Sequence, residues 1–233
     1  MYGKWEHGTF SIVACDPELR FWGVAVSTKP PSVGAVVPWA AWRVGAVATQ
    51  ANANYHYGPR GLELLRKGRS AEEVVRRLTR ADPRREHRQL GVIDRRGRTA
   101  AWTGAKCLEH ALHQAGDGYS CQGNMLASPT VVPAMARAFE RARGSLARRL
   151  LEALRAGARQ GGDRRGIESA ALIVVHREPW FDAAWSDRWV DLRVDRHPRP
   201  LVELARLVAA DERESRRFLA QRAATARRRK ARK

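Results

Sequence analysis

The sequence predicts an α+β fold, a four-layer αββα sandwich of two antiparallel sheets flanked by helices. Three observations predict it. Strand-like segments come in blocks, not in the strict alternation with helices that parallel βαβ units require. Helical segments come in pairs between those blocks. The 233 residues are 44% hydrophobic, enough for a sizeable core without disulfides.

The elements follow in order. Thr9–Cys15 and Phe21–Ser27 are rich in Val, Ile and aromatic residues and read as strands. Asp16-Pro17 opens the turn DPELR between them. Lys29-Pro30-Pro31 breaks the chain, and Gly34–Trp39 and Arg43–Gln50 read as further strands. YGPRGLELLRKG opens a helix, with Pro59 near its first turn. Ser70 followed three residues later by Glu73 is a capping-box pattern for a second helix, which Pro83 ends. Leu90–Asp94 and Thr99–Thr103 form a hairpin around Gly97, and Tyr119–Leu126 reads as a strand. Thr130–Arg143 and Ser145–Arg159 carry apolar residues at helical spacing and are separated by Gly144. Gly161-Gly162 ends the second of them. Ser169–His176 and Trp189–Val194 are late strands, and a final helix starts near Pro200 and runs into the basic end. The domain reading is a leader at 1–8, one domain at 9–212 and a basic tail at 213–233.

Composition excludes several classes. No apolar run approaches a membrane span, and MYGKWEHG has no apolar signal-peptide region, so the expectation is a soluble cytoplasmic protein without membrane contact. Cys15, Cys107 and Cys121 are too few for a disulfide framework in a chain this long. The formal charge is +19, but 37 of the 43 basic residues are arginine, which a GC-rich genome supplies through its codons. Arg213–Lys233 holds ten positive residues and one negative, so it reads as a solvated end or a weak polyanion contact.

The phosphate loop G-x-x-x-x-G-K-[ST], the dinucleotide fingerprint G-x-G-x-x-G and the elbow G-x-S-x-G do not occur. Cys107, His110, His113 and Cys121 are zinc-type residues at a spacing that matches no finger, so they read as ordinary loop and strand residues; no metal or cofactor is expected. The Gly8-Thr9 junction is more informative. Thr is a good strand starter, and Gly breaks what precedes it. Alternatively the junction is a cleavage site. A threonine hydroxyl needs a base, and an N-terminal threonine supplies its own in an α-amino group of pKa ~7.7–8.0. Making that amine requires loss of residues 1–8, and Gly8 tolerates the strained backbone that self-cleavage needs.

Other candidates cluster in loops. GGDRRGIESAAL leads into an apolar strand, which makes it either a helix stop and turn or the mouth of a site with Asp163, Arg164 and Ser169 as catalytic candidates. TQANANYHYGPRG and QGN raise the same choice. With Lys29 they yield the substrate-binding candidates Lys29, Gln50, Asn54, Tyr57, Gln122 and Asn124. Backbone amides near Gly45–Gln50 or Gln122–Asn124 are the candidate oxyanion donors.

Taken together, TFSIVACDPE, VGAVVPWA, VGAVATQANANYHYGPRGLELL, RQLGVID, YSCQGNML, GGDRRGIESAAL and WVDLRVDRHPRP resemble the DUF1028 family, from Thr9 to about Leu207. That family is an uncharacterised branch of the N-terminal nucleophile (Ntn) hydrolase superfamily, related in fold to proteasome subunits. The resemblance implies the αββα sandwich and makes Thr9 the leading nucleophile candidate. Three departures stand out. The family threonine usually lies directly behind the initiator Met, whereas here MYGKWEHG intervenes and proteolysis or self-cleavage would have to free it. Glu168 stands where Gln is common, and Tyr55 where Pro is common. Two functions are expected. One is an amide hydrolase with Thr9 as nucleophile, acting on a small-molecule or peptide amide. The other is a non-catalytic Ntn-fold protein that binds a ligand or assembles, including as a homo-oligomer, with its basic tail free for polyanions.

Overall fold

The structure, a computed structural model, describes residues 8–177 and 187–230. Apart from Gly8 the predicted leader lies outside the described residues, as do the last three residues of the tail.

Strand β1 (Thr9–Asp16) and strand β2 (Phe21–Thr28) form the central hairpin. Its turn is set locally: the Leu19 amide donates to Asp16 Oδ1 at 3.1 Å, and Arg20 takes a left-handed φ of 59°. Pairing runs outward from Asp16–Phe21 to Thr9–Thr28. On its other side β1 pairs with β8 (Tyr119–Asn124), and β2 pairs with β9 (Ser169–Val175). With β7 (Leu112–Gly116) and β10 (Arg188–Val194) at the edges, the sheet has six strands in the order β10-β9-β2-β1-β8-β7. A second sheet has four, in the order β3 (Pro38–Ala41), β4 (Gly45–Ala51), β5 (Arg88–Asp94) and β6 (Thr99–Thr103). Every strand pairing within both sheets is antiparallel.

Alternation along the strands sorts side chains into three apolar layers. Phe10, Ile12 and Ala14 of β1 point to helices α3 (Val131–Arg141), α4 (Leu146–Arg159) and α5 (Pro200–Lys230), where they meet Met135, Leu150 and Leu154. Val13 and Cys15 point the other way and pack between the sheets with Val24, Val26, Ala46 and Ile93. The outer face of the second sheet, Val47, Leu90 and Val92, is covered by α1 (Tyr57–Arg66) and α2 (Ala71–Arg80). The layers are therefore helix, sheet, sheet, helix, as the order of elements predicted. The capping box at α2 forms: Ser70 Oγ accepts from the Glu73 amide at 3.2 Å, and Glu73 Oε2 accepts from the Ser70 amide at 3.2 Å.

The structure corrects the strand reading in three places. Gly34–Trp39 is not a strand; a 3-10 turn at Val33–Ala35 precedes β3, which begins only at Pro38. The strand read over Tyr119–Leu126 stops at Asn124, because Met125 takes a left-handed φ of 50°. Strand β7 lies in a stretch read as a loop; its sequence LHQAG has little apolar content, and it forms on the edge that β8 offers it. Among the described residues, no helix is long and apolar enough to cross a membrane.

Candidate active site

Thr9 begins one of the two central strands of the larger sheet, opposite Thr28 on one side and Asn124 on the other. Its side chain is enclosed, with 2% of the residue exposed. Thr9 Oγ1 donates to Thr28 Oγ1 at 3.2 Å, and Thr28 Oγ1 donates in turn to the Gly8 carbonyl in a short hydrogen bond. Nη2 of Arg165 donates to the same carbonyl at 3.2 Å. The peptide that precedes the candidate nucleophile is thus held by a hydroxyl and a guanidinium.

Asp163 organises this end of the sheet. After α4 the chain reverses through Gly161 and Gly162, both at positive φ, and Asp163 then forms a bridge with Leu126. Its side chain is 0% exposed. One carboxylate oxygen accepts from the Arg165 amide at 3.0 Å and Arg165 Nε at 3.1 Å. The other accepts from the Lys29 amide at 3.0 Å and Arg165 Nη2 at 2.8 Å. These charge-assisted bonds offset the cost of burying the carboxylate and fix the Arg165 fork.

The structure brings some predicted residues to Thr9 and places others elsewhere. Gln50 is brought in: its Nε2 donates to the Thr9 carbonyl at 3.2 Å. Gln122 and Asn124 sit nearby, but their side chains serve a buried polar seam between the sheets. Gln122 Nε2 donates to Ser11 Oγ at 2.6 Å, and Asn124 Nδ2 donates to Gln89 Oε1 at 2.9 Å. Gln89, which the sequence reading did not single out, also accepts from Gln50 Nε2 at 2.7 Å and donates to the Gly123 carbonyl at 2.8 Å. A lone glutamine inside the apolar run RQLGVID was the available signal. The strand pairings at Gly45–Gln50 and Gln122–Asn124 engage the backbone proposed for the oxyanion, whereas Thr28 and Arg165 face the Gly8 carbonyl.

Lys29 contributes its backbone to Asp163, while its ammonium pairs with Glu168 at 2.6 Å. Arg164 points away and pairs with Glu109; it is Arg165 that reaches the Gly8 carbonyl. Ser169 lies opposite Thr28 on the far side from Thr9. Its hydroxyl donates to the Pro30 carbonyl at 2.6 Å and accepts from the Val33 amide at 3.4 Å, so it pins the turn after β2.

Asn54 and Tyr57 belong to a different cluster, around Asp82. Asn54 Nδ2, Tyr57 Oη and Arg88 Nε donate to Asp82 Oδ2 at 2.9, 3.0 and 3.0 Å, and the Arg84 amide donates to Oδ1 at 2.8 Å. Burial alone would raise the Asp82 carboxyl, but these hydrogen bonds outweigh it and hold the carboxyl down at about 2. The same burial, with the bond to Asp82, pushes the Tyr57 phenol well above its ordinary value.

The four zinc-type residues do not converge. Cys121 faces the helices, while His113 is opposite Gln122 and so faces away from it. His113 Nδ1 is 2.9 Å from Thr103 Oγ1, and Cys107 Sγ donates to the Arg88 carbonyl. Burial pushes the Cys15 thiol up to about 12 and the Cys107 thiol up to about 11, away from thiolate reactivity.

A cavity of about 50 Å³ opens beside Thr9 between the turn after β2 and the end of β4. A larger one, about 630 Å³, lies between α4, α5 and β10 and borders Asp16 and Phe21, at the opposite end of the hairpin from Thr9. Thr9 and Thr28 line the smaller one.

Residues 9–204 match the model of a family of unknown function, DUF1028. The chain belongs to the DUF1028 family. The match begins at Thr9 and takes in Thr28, Asp163, Arg165 and Ser169. A crystal structure of a Silicibacter pomeroyi protein carrying the same DUF1028 designation is similar to this chain, with 34% sequence identity and a TM-score of 0.78, covering 87% of this chain and 85% of that one. No curated protein matches the chain.

Proposed function

We propose that the protein is an Ntn-type amide hydrolase whose nucleophile is Thr9, freed as an N-terminus by loss of residues 1–8. The observation that carries this reading is the setting of the Gly8 carbonyl, which accepts from both the Thr28 hydroxyl and the Arg165 guanidinium. Two donors polarise a carbonyl, and a cation aimed at its oxygen stabilises the charge that develops when a nucleophile adds.

Leader removal then proceeds in two steps. Thr9 Oγ1 adds to the Gly8 carbonyl carbon, the Gly8–Thr9 C–N bond breaks, and the hydroxyl proton passes to the departing nitrogen. Residues 1–8 are left as an ester on Oγ1. Water adds to that ester, releases the leader as a carboxylic acid and restores the hydroxyl. The new α-amine has an ordinary pKa of ~7.7–8.0 and acts as the base for Oγ1 when an amide substrate arrives. The substrate's acyl group passes to Oγ1, its amine leaves with the proton, and water clears the ester. Asp163 is a positioning residue, because it holds the Arg165 fork and packs against Gly8.

Intact-mass spectrometry of three proteins tests the reading. Wild type loses residues 1–8, Thr9→Ala retains them, and Thr9→Ser loses them. Wild type that stays full length after prolonged incubation overturns self-cleavage.

A further inference from the structure

We propose that the cavity beside Thr9 is an acyl subsite, and that the substrate is an amide whose acyl group carries a small, uncharged aliphatic side chain. The proposal rests on Thr9 acting as the nucleophile. The cavity holds about 50 Å³. On that measure one water needs ~10–15 Å³, so there is room for about three to five groups of that size. An alanine or valine side chain fits this space; a phenyl ring does not.

The walls are apolar. Pro30, Pro31, Val33 and Val37 form one side and Ala51 and Ala53 the other. Among the described residues no charged side chain lines the cavity, and Gln50 is already committed. Gln50 donates to the Thr9 carbonyl and to Gln89, and its Oε1 accepts from Ser11 Oγ at 2.7 Å. Loss of the leader takes away the Gly8 carbonyl to which the Thr28 hydroxyl donates, and leaves that hydroxyl as a neutral donor beside the reacting group. A carboxylate or ammonium placed there would lose its hydration with no charged side chain in the walls to replace it, which the site would reject strongly.

The walls are also held rigidly, so the cavity does not simply expand. Ser32 and Ala51 both take left-handed φ, 58° and 64°, although neither is glycine. Such conformations persist only where surrounding contacts impose them, and they concentrate at ligand sites. Here the Ser32 amide donates to the Asp195 carbonyl at 2.8 Å, and Ser169 Oγ donates to the Pro30 carbonyl at 2.6 Å. Ser169 therefore acts on the reaction by fixing the subsite wall. Tyr55, 59% exposed, stands at the rim.

The test uses the chain expressed from a Met placed directly before Thr9, whose removal frees the amine. Among the described residues the three apolar layers lie between Phe10 and Val208, and this form retains all of them. It is treated with β-lactones bearing methyl, isopropyl, benzyl or carboxyethyl groups. Thr9 Oγ1 adds to the lactone carbonyl carbon, the ring C–O bond breaks, and the hydroxyl proton passes to the released alkoxide. The adduct therefore has the full mass of the lactone. Labelling rates, each divided by that lactone's rate with free threonine, should favour methyl and isopropyl over benzyl and carboxyethyl at least tenfold. Ala53→Leu, which fills the cavity, should slow isopropyl labelling at least fivefold while methyl labelling persists. Val37→Ala should raise benzyl labelling. Equal or faster labelling by the benzyl or carboxyethyl lactone overturns the subsite. Absence of labelling by all four, in a protein that melts cooperatively, overturns the nucleophile reading itself.

Discussion

The Asp163 carboxylate lies directly against Gly8, so close that a β-carbon on Gly8 would sit 2.6 Å from Asp163 Oδ1. Glycine is therefore required at the residue before Thr9 by contact. Gly8→Ala should cost about 1–3 kcal/mol as an overpacked site and should slow loss of the leader. Pairing it with Asp163→Ala removes the clash, so in a double-mutant cycle the stability losses should fall short of additive. Melting curves of the two single variants and the double variant in a Thr9→Ala background, which keeps residue 8, and a mass time-course of the same variants with Thr9 intact check this.

Two adjacent arginines should behave very differently. Arg165→Ala removes a donor from the Gly8 carbonyl and, by the usual scale for such donors, should slow leader loss ~10²–10³-fold. Arg165→Lys should recover only part of the rate, because an ammonium cannot reproduce the fork that spans Asp163 and Gly8. Arg164→Ala, which loses only its pair with Glu109, should stay within about 0.5 kcal/mol of wild type and process normally. The same mass time-course reads all three.

The Asp82 cluster predicts an acid limb. The carboxyl is near 3.8 in the unfolded chain and about 2 in the folded one. A depressed carboxyl stabilises the fold above its unfolded value, and that stability drains away as pH falls from about 4 towards 2. Asp82→Asn leaves Arg88 buried without its counter-charge and should cost about 3–5 kcal/mol at neutral pH. For a domain of this size that lowers Tm by about 2–4 °C per kcal/mol. The difference between wild type and variant should shrink below pH 4; denaturant titrations across pH measure it.

Helix α5 divides near Glu212. Leu201, Leu204 and Val208 are buried, and Glu212 accepts from Ser145 Oγ at 2.7 Å and Arg148 Nε at 3.3 Å. A chain ending at Glu212 should keep the wild-type melting temperature. One ending at Arg206 loses Val208 and should be less stable by about 1.5–3 kcal/mol. Removing Arg213–Lys233 takes away ten positive residues and one negative, and should move elution from heparin to lower salt. Unchanged elution would assign the retention to the body of the protein.

Much of the fold was legible because its signals are local. Val- and Ile-rich alternation marked β1, β2 and β9; the Ser70–Glu73 spacing marked the start of α2. Even one contact of the candidate site was within reach, since counting outward from the Asp16–Phe21 turn brings Thr28 opposite Thr9. Strand β7 and the turn before β3 were not legible. The first forms only because β8 has a free edge, and the second because Ser169, more than a hundred residues away, accepts from the Val33 amide.

The sequence by itself determined the layered class of the fold, the place of Thr9 at the head of a strand and the Gly8-Thr9 junction, since each depends on residues adjacent in the chain. Tertiary structure decided which side chains meet there. Arg164 and Arg165 are indistinguishable in GGDRRG, and only the turn through Asp163 aims the second at Gly8 and the first at Glu109. Asn54 and Tyr57, read as neighbours of Gln50, were drawn instead to Asp82, because a buried carboxylate must be matched by every donor within reach. Side-chain direction at a turn, and the partner a buried charge finds, are settled by where distant strands bring the chain together.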